Sequence, residues 1–329
     1  MQQPKQFNRK KWSINLKSID FLSILIAYII VIFVFASASP VFLSIRNFLN
    51  VGQYAAIIGV AATSMTLVLV SGHIDISLGS MVALSSMVLA LFMPEDSADI
   101  VGLILAILAC IATGALCGAI NGFFITKIKV NAFITTMATM NIFRGLAYLT
   151  SGGKSITLSN KSLGFIGRAR TLDIPHSLII MLIALVVFWL ISKYTVFGRR
   201  LYIIGGNPLA AHLSGIKVER SIMAIFVING AMTGLAAVMT TSQLGAALPQ
   251  GSAGLEFQII SAIILGGTSL SGGKGALIGS LFGVLLLSTL NNGMVMTEIP
   301  TYWQLIVTGI VLILAVAIDV MKNKRFSMK

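Results

Sequence analysis

The sequence predicts an all-α integral membrane protein of about ten transmembrane helices that contains an inverted internal repeat. Composition is the first observation: 57% of the 329 residues are hydrophobic, 10% are charged, and the mean hydropathy is +0.95. A soluble domain usually carries about 25% charged residues. Secondly, charge-free runs recur along the chain, and most reach the roughly 20 residues with which a helix crosses the hydrocarbon. The third observation is a similarity between the two halves of the chain at a constant offset.

A single transmembrane domain is predicted over 20–320, between basic tails at 1–19 and 321–329. The segments 78–94 and 256–267 are short or rich in glycine, so each is a candidate broken or re-entrant helix. A membrane tolerates such backbone only where protein or a water-filled cavity covers it. In chain order, the ten predicted helices are 21–38, 51–70, 78–94, 100–126, 131–150, 175–193, 221–243, 256–267, 275–297 and 301–319.

The distribution of positive charge predicts the orientation in the membrane. With ten helices, both basic tails, the loop around Lys127 and Lys129 and the loop 194–221 share one side. The positive-inside rule makes that side, and hence both termini, cytoplasmic. The positions of the basic residues therefore explain the net charge of +13 by membrane topology, and they do not indicate a nucleic-acid partner. The external loop 151–176 is an exception to the rule, because it carries Lys154, Lys161, Arg168 and Arg170.

The internal similarity predicts two halves of opposite orientation. Sliding the chain by 171 residues places helix 51–70 on 222–241 and brings Asn121 onto Asn292. The displacement covers five helices, and an odd number of helices inverts the second half relative to the first. Transporters with inverted repeats commonly place the substrate path at the interface of the repeats. The predicted halves are 51–150 and 222–319.

Small residues predict one close helix contact. Gly114, Gly118 and Gly122 recur every four residues within 100–126, so that one stripe of the helix allows another backbone to approach closely. Cys110 and Cys117 lie seven residues apart on the same helix. We interpret both as small packing residues and not as a disulfide or a metal pair.

Polar residues that interrupt the apolar segments are the candidates for a gate or a solute path. Asp75 is expected foremost to cap the helix that follows it, with a direct role in gating as the second interpretation. Arg144 is expected to face the bundle interior or water, with Asp75 or a backbone carbonyl as its candidate partner. The Gly/Ser-rich segment 266–275 is either a hinge or a tight turn. The full set of candidates is His73, Asp75, Ser77, Asn121, Arg144, Thr268, Ser269, Asn291 and Asn292.

No pattern of catalytic or metal-ligating residues is found in the sequence. The three histidines, His73, His176 and His212, are far apart and have no cluster of cysteines or carboxylates at metal spacing. A phosphate loop ending at Lys274 would need Gly at 268 and Ser or Thr at 275, and the chain has Thr268 and Gly275. We therefore expect no metal and no cofactor on this chain.

A short capped helix is predicted within the basic loop 194–221. Asn207 is a good N-cap, Pro208 suits the first helical position, and Gly215 can end the helix in a left-handed turn. The two turns between the caps are small and apolar, although they lie on the basic side. This pattern is typical of a helix that docks onto a soluble partner. The candidate docking residues are Asn207, Pro208, Leu209, Ala210, Ala211, His212, Leu213, Ser214 and Gly215.

Five stretches of the chain resemble the permease subunits of ribose-type (ribose, galactose and xylose) sugar ABC importers. The resemblance runs over about 20–320, and in one place His73 stands where the family usually has glycine. The histidine is expected to face the surface. The matching stretches are SGHIDISLGS at 71–80, ING at 120–122, FGRRLYIIGGNPLAAHLSGI at 197–216, LGGTSLSGGKGALIG at 265–279 and NNG at 291–293.

The resemblance implies a type II ABC importer permease in a bacterial inner membrane, without enzymatic activity of its own. It implies a dimer with a second copy or a paralogue, and a cytoplasmic ATPase on separate chains that binds ATP and Mg. A periplasmic sugar-binding protein would dock on the other side, and the helix 207–215 would couple the permease to the ATPase.

The leading hypothesis is thus a path for a monosaccharide, either a ribose-like pentose or a hexose. The near alternative is an ABC permease for another small solute, such as a branched-chain amino acid, a nucleoside or a furanone signal. A different class is a secondary transporter driven by an ion gradient. It would need several intramembrane ionisable residues, and this chain offers Asp75 and Arg144.

Overall fold

The computed structural model describes the backbone of residues 16–327 and the side chains of 24–317 and 319–321. Of the predicted N-terminal tail, 1–15 lies outside the described residues and 16–19 begins the first helix. The helices are α1 (Leu16–Ala38), α2 (Ile45–Val70), α3 (Leu78–Phe92), α4 (Ile100–Phe123), α5 (Ala132–Ser151), α6 (Gly164–Gly167), α7 (His176–Tyr194), α8 (Val196–Gly206), α9 (Pro208–Leu213), α10 (Val218–Leu244), α11 (Leu255–Leu265), α12 (Leu277–Met296) and α13 (Thr301–Ser327).

Only four strands of two residues each accompany these helices in the described part of the chain. They form two antiparallel pairs, β1 with β4 and β2 with β3. A π-helical turn, Phe124–Ile128, extends α4. The strands are β1 (Ile156–Thr157), β2 (Arg170–Thr171), β3 (Ile174–Pro175) and β4 (Ala246–Ala247).

Each of the ten predicted membrane helices has a counterpart in the fold. Within the described residues, six are long and apolar enough to cross a membrane: α2, α4 with its π-helical turn, α7, α10, α12 and α13. The helix α5 is not among these six, although it has 20 residues. The helix α2 begins at Ile45, earlier than predicted, because the Ser44 hydroxyl caps it by accepting a hydrogen bond from the Asn47 N–H at 3.2 Å.

The two segments predicted to be broken are half-helices. With 15 and 11 residues, α3 and α11 are about 22 and 16 Å long, well short of the roughly 30 Å hydrocarbon. Non-helical segments, 71–77 and 245–254, precede them. The first turns of the two helices meet at Gly79, where a Cβ atom would lie 2.3 Å from the Ser252 carbonyl oxygen and 2.4 Å from Glu256 Oε2.

Helix contacts recur when the two predicted halves are exchanged. The helix α4 packs on α10 as α12 packs on α2, and α3 contacts α5 as α11 contacts α13. The glycine stripe of α4 lies against α10, as predicted. A Cβ on Gly114 would lie 2.2 Å from the Gly230 carbonyl oxygen, and one on Gly118 would lie 2.1 Å from that of Phe226. These backbones approach so closely that only glycine fits at the contact.

The loops fall at two ends of the bundle, and the basic loop 151–176 stays an exception to the positive-inside rule. At the end that we call the basic end, Glu219 lies 3.5 Å from Lys127 and 3.9 Å from Lys129, which joins the α4–α5 loop to the start of α10. At the end that we call the opposite end, the Asn160 amide donates to the Pro94 carbonyl at 3.0 Å, so the loop 151–176 lies beside the α3–α4 loop. The cytoplasmic placement of the basic end stays a prediction.

Candidate functional site

Asp75 lies at the centre of a buried polar network. Its Oδ1 atom accepts hydrogen bonds from the backbone N–H of Ser77 at 3.0 Å and from the Ser77 hydroxyl at 2.6 Å. Its Oδ2 atom accepts one from Asn229 Nδ2 at 3.1 Å. Ser77 is the N-cap of α3, so the carboxylate holds the chain at the start of that helix. Asp75 lies three residues ahead of Leu78, and the backbone N–H that it binds belongs to the N-cap residue and not to the first turn of the helix.

The network extends from Asp75 in both directions. Asn121 Nδ2 donates to the Ser77 hydroxyl at 3.0 Å, and the Thr139 hydroxyl donates to Asn121 Oδ1 at 2.7 Å. On the other side, the Ser64 hydroxyl donates to Asn229 Oδ1 at 2.9 Å. None of these side chains is more than 4% exposed. The buried polar network, Ser64, Asp75, Ser77, Asn121, Thr139 and Asn229, therefore ties α2, α4, α5 and α10 to the start of α3.

Arg144 does not join the buried polar network. Its Nη1 atom donates to the Pro249 carbonyl at 2.8 Å and to the Gly251 carbonyl at 2.7 Å. Of the two partners predicted for this arginine, the structure has the backbone carbonyls and not Asp75. The guanidinium of α5 thus holds the non-helical segment 245–254, which leads into the half-helix α11.

Glu256 lies next to that segment, and the sequence analysis did not include it among the candidates. The side chain is 5% exposed, its Oε1 atom accepts from the Gly254 N–H at 3.2 Å, and its Oε2 atom faces Gly79 in the first turn of α3. The available signal was its position as a lone carboxylate at the first residue of a predicted membrane segment. Asn229 gave a similar signal, as an amide within the predicted membrane helix 221–243.

The short helix of the basic loop is formed largely as predicted. It runs from Pro208 to Leu213, with Asn207 and Ser214 as caps, so the helix proper is shorter than 207–215. Asn207 Oδ1 accepts from the Ala210 N–H at 2.9 Å, and Gly215 follows with a φ of +78°. Leu209 and Leu213 are 68% and 78% exposed, whereas Ala211 is fully buried. The helix α9 thus rests on its alanine and presents two leucines outward.

The helix α8, which leads directly into α9, touches the end of α2 and the loop between α11 and α12 at the basic end. The Gly273 N–H donates to the Val70 carbonyl at 2.8 Å. A Cβ on Gly205 would lie 1.9 Å from that carbonyl oxygen and 2.6 Å from the Gly273 nitrogen. We call this contact of Val70, Gly205 and Gly273 the glycine junction. It joins α9, through α8, to the end of α2 and to the loop between α11 and α12.

The remaining gate candidates lie apart from the buried polar network. In the α11–α12 loop, Thr268 is fully buried, and Ser269, 4% exposed, donates to Asp319 Oδ2 at 3.2 Å. The loop has the geometry of a packed turn. His73 Nδ1 lies 3.0 Å from the Ser71 carbonyl oxygen, and the His73 ring stands perpendicular to the Phe226 ring. The side chain is half-buried, so the expectation that it faces the surface is wrong.

Asn291 and Asn292 lie on α12, at the opposite end of the bundle. Asn291 is 7% exposed and lies beside the Tyr54 hydroxyl. Asn292 Oδ1 is buried and has no hydrogen-bond partner. Although the repeat aligns Asn292 with Asn121, only Asn121 belongs to the buried polar network. Among the described residues, no group of three or more His, Cys, Asp or Glu side chains has the arrangement of a metal site.

Known proteins similar to this chain are permeases. The ribose import permease protein RbsC of Bacillus subtilis (strain 168) is 42% identical over 305 residues, which cover 92% of this chain and 92% of that protein. The L-arabinose ABC transporter permease protein AraH of Azospirillum brasilense is 35% identical, with 88% of this chain and 85% of that protein covered. The xylose transport system permease protein XylH of Escherichia coli (strain K12) is 33% identical, with 94% and 95% covered.

No solved structure matches the chain. The protein family that matches it spans residues 47–316, from the first turn of α2 into α13, and so includes the buried polar network, the glycine junction and α9. This chain therefore belongs to the family described as the permease component of the branched-chain amino acid transport system.

Proposed function

We propose that this chain forms the membrane path of an importer for a neutral monosaccharide, driven by ATP that a separate ATPase hydrolyses. The observation that carries the proposal is α9, a capped helix with two exposed leucines whose neighbour α8 meets the glycine junction. Ribose, arabinose and xylose occur in the names of the relatives and favour a sugar over an amino acid.

The ATPase would dock at the basic end, on α9. Exposed leucines on a short rigid helix suit a groove on a soluble partner, because their burial releases water from apolar surface. Displacement of α9 would move α8, and α8 has no free space at the glycine junction. Contacts this tight transmit displacement, since packed backbones have few intermediate arrangements. ATP and Mg would be bound by the partner.

A second copy of the chain, or a paralogue, would pack against α5 and α13. Few side chains of α13 are buried, and many of its large apolar side chains, such as Leu305 and Ile313, are exposed. The exposed face of α5 combines large apolar side chains, such as Ile134 and Ile142, with the amide of Asn141. An amide on an apolar helix face is costly in lipid and is better placed against another protein or a water-filled path.

A periplasmic binding protein would dock at the opposite end. The loop 151–176 exposes four basic side chains there, and this arrangement accounts for the exception to the positive-inside rule. Exposed charges of one sign steer a partner of the other sign, so the binding protein is expected to present carboxylates. The basic side chains are Lys154, Lys161, Arg168 and Arg170.

An ion-coupled mechanism has less support from the geometry. Asp75 is held by three hydrogen bonds within the buried polar network, and Arg144 is held by two carbonyls. An intramembrane carboxylate that carries ions needs water or a second ionisable group beside it. The contacts of Asp75 instead anchor the N-cap residue of α3 and join it to Asn229.

Uptake in proteoliposomes tests the proposal. A labelled sugar panel is supplied with and without the candidate ATPase and binding protein, for the native chain and for the double variant Leu209→Asp, Leu213→Asp. We expect uptake that requires ATP and both partners and that the double variant abolishes. The double variant Leu209→Met, Leu213→Met is the control, because it keeps flexible apolar side chains at the same two exposed positions. Uptake by the chain alone, driven by an ion gradient, would overturn the proposal.

A further inference from the structure

A cavity of about 540 Å³ lies between the two halves of the bundle. Its wall is built by α2, by the last turns of α10 and by the segment that enters α11. Leu244 and Ala253, which belong to this wall, are exposed, so the cavity opens to the surface near the opposite end. Its volume falls within the roughly 300–1,000 Å³ typical of small-molecule sites.

The cavity wall is polar but carries no formal charge. Five side chains can donate or accept hydrogen bonds, and the remaining lining residues are apolar. An ammonium or a carboxylate group would find no opposite charge on this wall, and burying a charge without a partner is strongly unfavourable. The chemistry therefore selects a neutral solute over an amino acid. The five polar side chains are Tyr54, Thr240, Gln243, Ser252 and Gln258.

The polar groups are concentrated at one side, next to an aromatic ring. The Tyr54 hydroxyl donates to Gln258 Oε1 at 3.3 Å, and Asn291 lies beside the same hydroxyl. Gln258 keeps its amide N–H groups for a solute, and the Tyr54 ring offers an apolar face below its polar tip. A monosaccharide has the matching pattern, with hydroxyls around its edge and C–H groups on its ring faces.

Binding in this cavity would depend on how the two halves are placed. Tyr54 belongs to α2 in the first half, whereas Gln258 belongs to the half-helix α11 in the second. A solute that contacts both residues has different affinities for arrangements in which α2 and α11 are close or apart. Such a difference in affinity is what links a solute to a conformational change.

We propose that this cavity is a subsite for a neutral monosaccharide, in which Tyr54 and Gln258 orient the hydroxyls of the sugar. The subsite rests on the proposed import of a sugar and adds to it a specific location within one copy of the chain. A lipid chain is the competing occupant, because half of the lining side chains are apolar.

Cysteine accessibility tests the subsite. Cys110 and Cys117 are 0% and 3% exposed, so a water-soluble maleimide is expected to leave them unmodified in the folded chain. Ala253→Cys places one reactive thiol on the cavity wall, and Leu172→Cys places one on an exposed loop as the control. The full chain in proteoliposomes is labelled with maleimide in the presence of ribose, xylose, arabinose or leucine.

We expect the monosaccharides, but not leucine, to slow labelling of Ala253→Cys severalfold and to leave Leu172→Cys unchanged. Adding Gln258→Leu removes one hydrogen-bond partner, and the sugar concentration needed for protection is then expected to rise about fivefold. If Gln258→Leu does not fold, Thr240→Val offers the same test at a second polar position of the cavity wall.

Equal labelling with and without sugar would overturn the subsite, as would protection by leucine to the same extent. A lipid in the cavity would slow labelling in liposomes relative to detergent and make it indifferent to sugar, which also contradicts the proposal. ATP-driven sugar uptake without any protection would contradict the subsite alone. Protection by sugar together with uptake that needs no ATPase would support the subsite and contradict the proposed coupling to ATP.

Discussion

Asn229 Nδ2 donates a hydrogen bond to Asp75 Oδ2 at 3.1 Å and thereby joins the two predicted halves of the protein in its interior. Asp75 lies between α2 and α3, and Asn229 lies in the fourth turn of α10. Both residues are fully buried, so neither partner has water as a substitute. The half-helix α3 thus starts at a point that the other half of the chain determines.

Removing the Asn229 amide should destabilise the fold. Asn229→Ala leaves Asp75 Oδ2 and the Ser64 hydroxyl without this partner, and an unsatisfied buried polar group costs about 1–3 kcal/mol, more if it is charged. Thermal unfolding in detergent measures the effect. Asn141→Ala is the matched control, because Asn141 is exposed on α5 and bonds to the Met137 carbonyl of its own helix. Equal midpoints for the two variants would contradict a stabilising role of the buried polar network.

A methyl group on the glycine stripe should separate α4 from α10. In Gly118→Ala the new carbon meets the Phe226 carbonyl at 2.1 Å, and overpacking of this kind costs about 1–3 kcal/mol. Gly145→Ala, with nothing within 4 Å of the new carbon, is the control and is expected to be neutral or slightly stabilising. Unfolding temperatures of the two variants decide the matter, and a stable Gly118→Ala would argue against the close contact.

Arg144 should control the order of the segment that leads into α11. Arg144→Met removes both hydrogen bonds to 245–254, so its backbone amides are expected to exchange hydrogen several times faster. Hydrogen exchange read by mass spectrometry measures this protection. The comparison is Arg46→Met, which removes an arginine exposed at the surface of α2. Unchanged exchange in 245–254 would show that the segment is held by other contacts.

Substitution of Gly205, which belongs to the glycine junction, should affect transport much more than substitution of its neighbour Gly206. Gly205→Ala places a carbon 1.9 Å from the Val70 carbonyl oxygen, so α8 must move, whereas Gly206→Ala meets nothing within 4 Å. If α9 drives the path through this contact, Gly205→Ala lowers ATP-driven sugar uptake at least tenfold and Gly206→Ala retains it. Both variants are first checked for folding and for binding of the ATPase. Similar uptake by the two variants would show that the glycine junction does not couple α9 to the transport path.

Local patterns in the sequence were sufficient for several elements of the candidate site. Asn207, Pro208 and Gly215 mark α9 because capping depends on residues three or four positions apart. Gly118 marks a close helix contact because small residues at a spacing of four share one face. Hydropathy likewise predicts the membrane helices, since apolar length alone decides whether a segment can cross. The exception is α5, whose polar residues lower its hydropathy without preventing a helix.

The hydrogen-bond partners of the polar side chains could not be predicted from the sequence. The sequence offered Asp75 and Arg144 as a possible pair, yet the structure gives Asp75 to Asn229 and Arg144 to the carbonyls of Pro249 and Gly251. These contacts join residues more than 100 positions apart. Helix periodicity says which face a residue occupies but not which helix lies opposite, so no local pattern could have identified them.

By itself, then, the sequence determined the membrane class, the helical segments, the short helix α9 and the resemblance to sugar permeases, because each depends on composition or on short-range spacing. Tertiary structure alone decided that α3 and α11 meet at Gly79, that Asn229 completes the network of Asp75, and that Tyr54 and Gln258 share a cavity. Those relationships arise only when the two halves of the chain pack against each other. No pattern within a single segment predicts which distant segment it will contact.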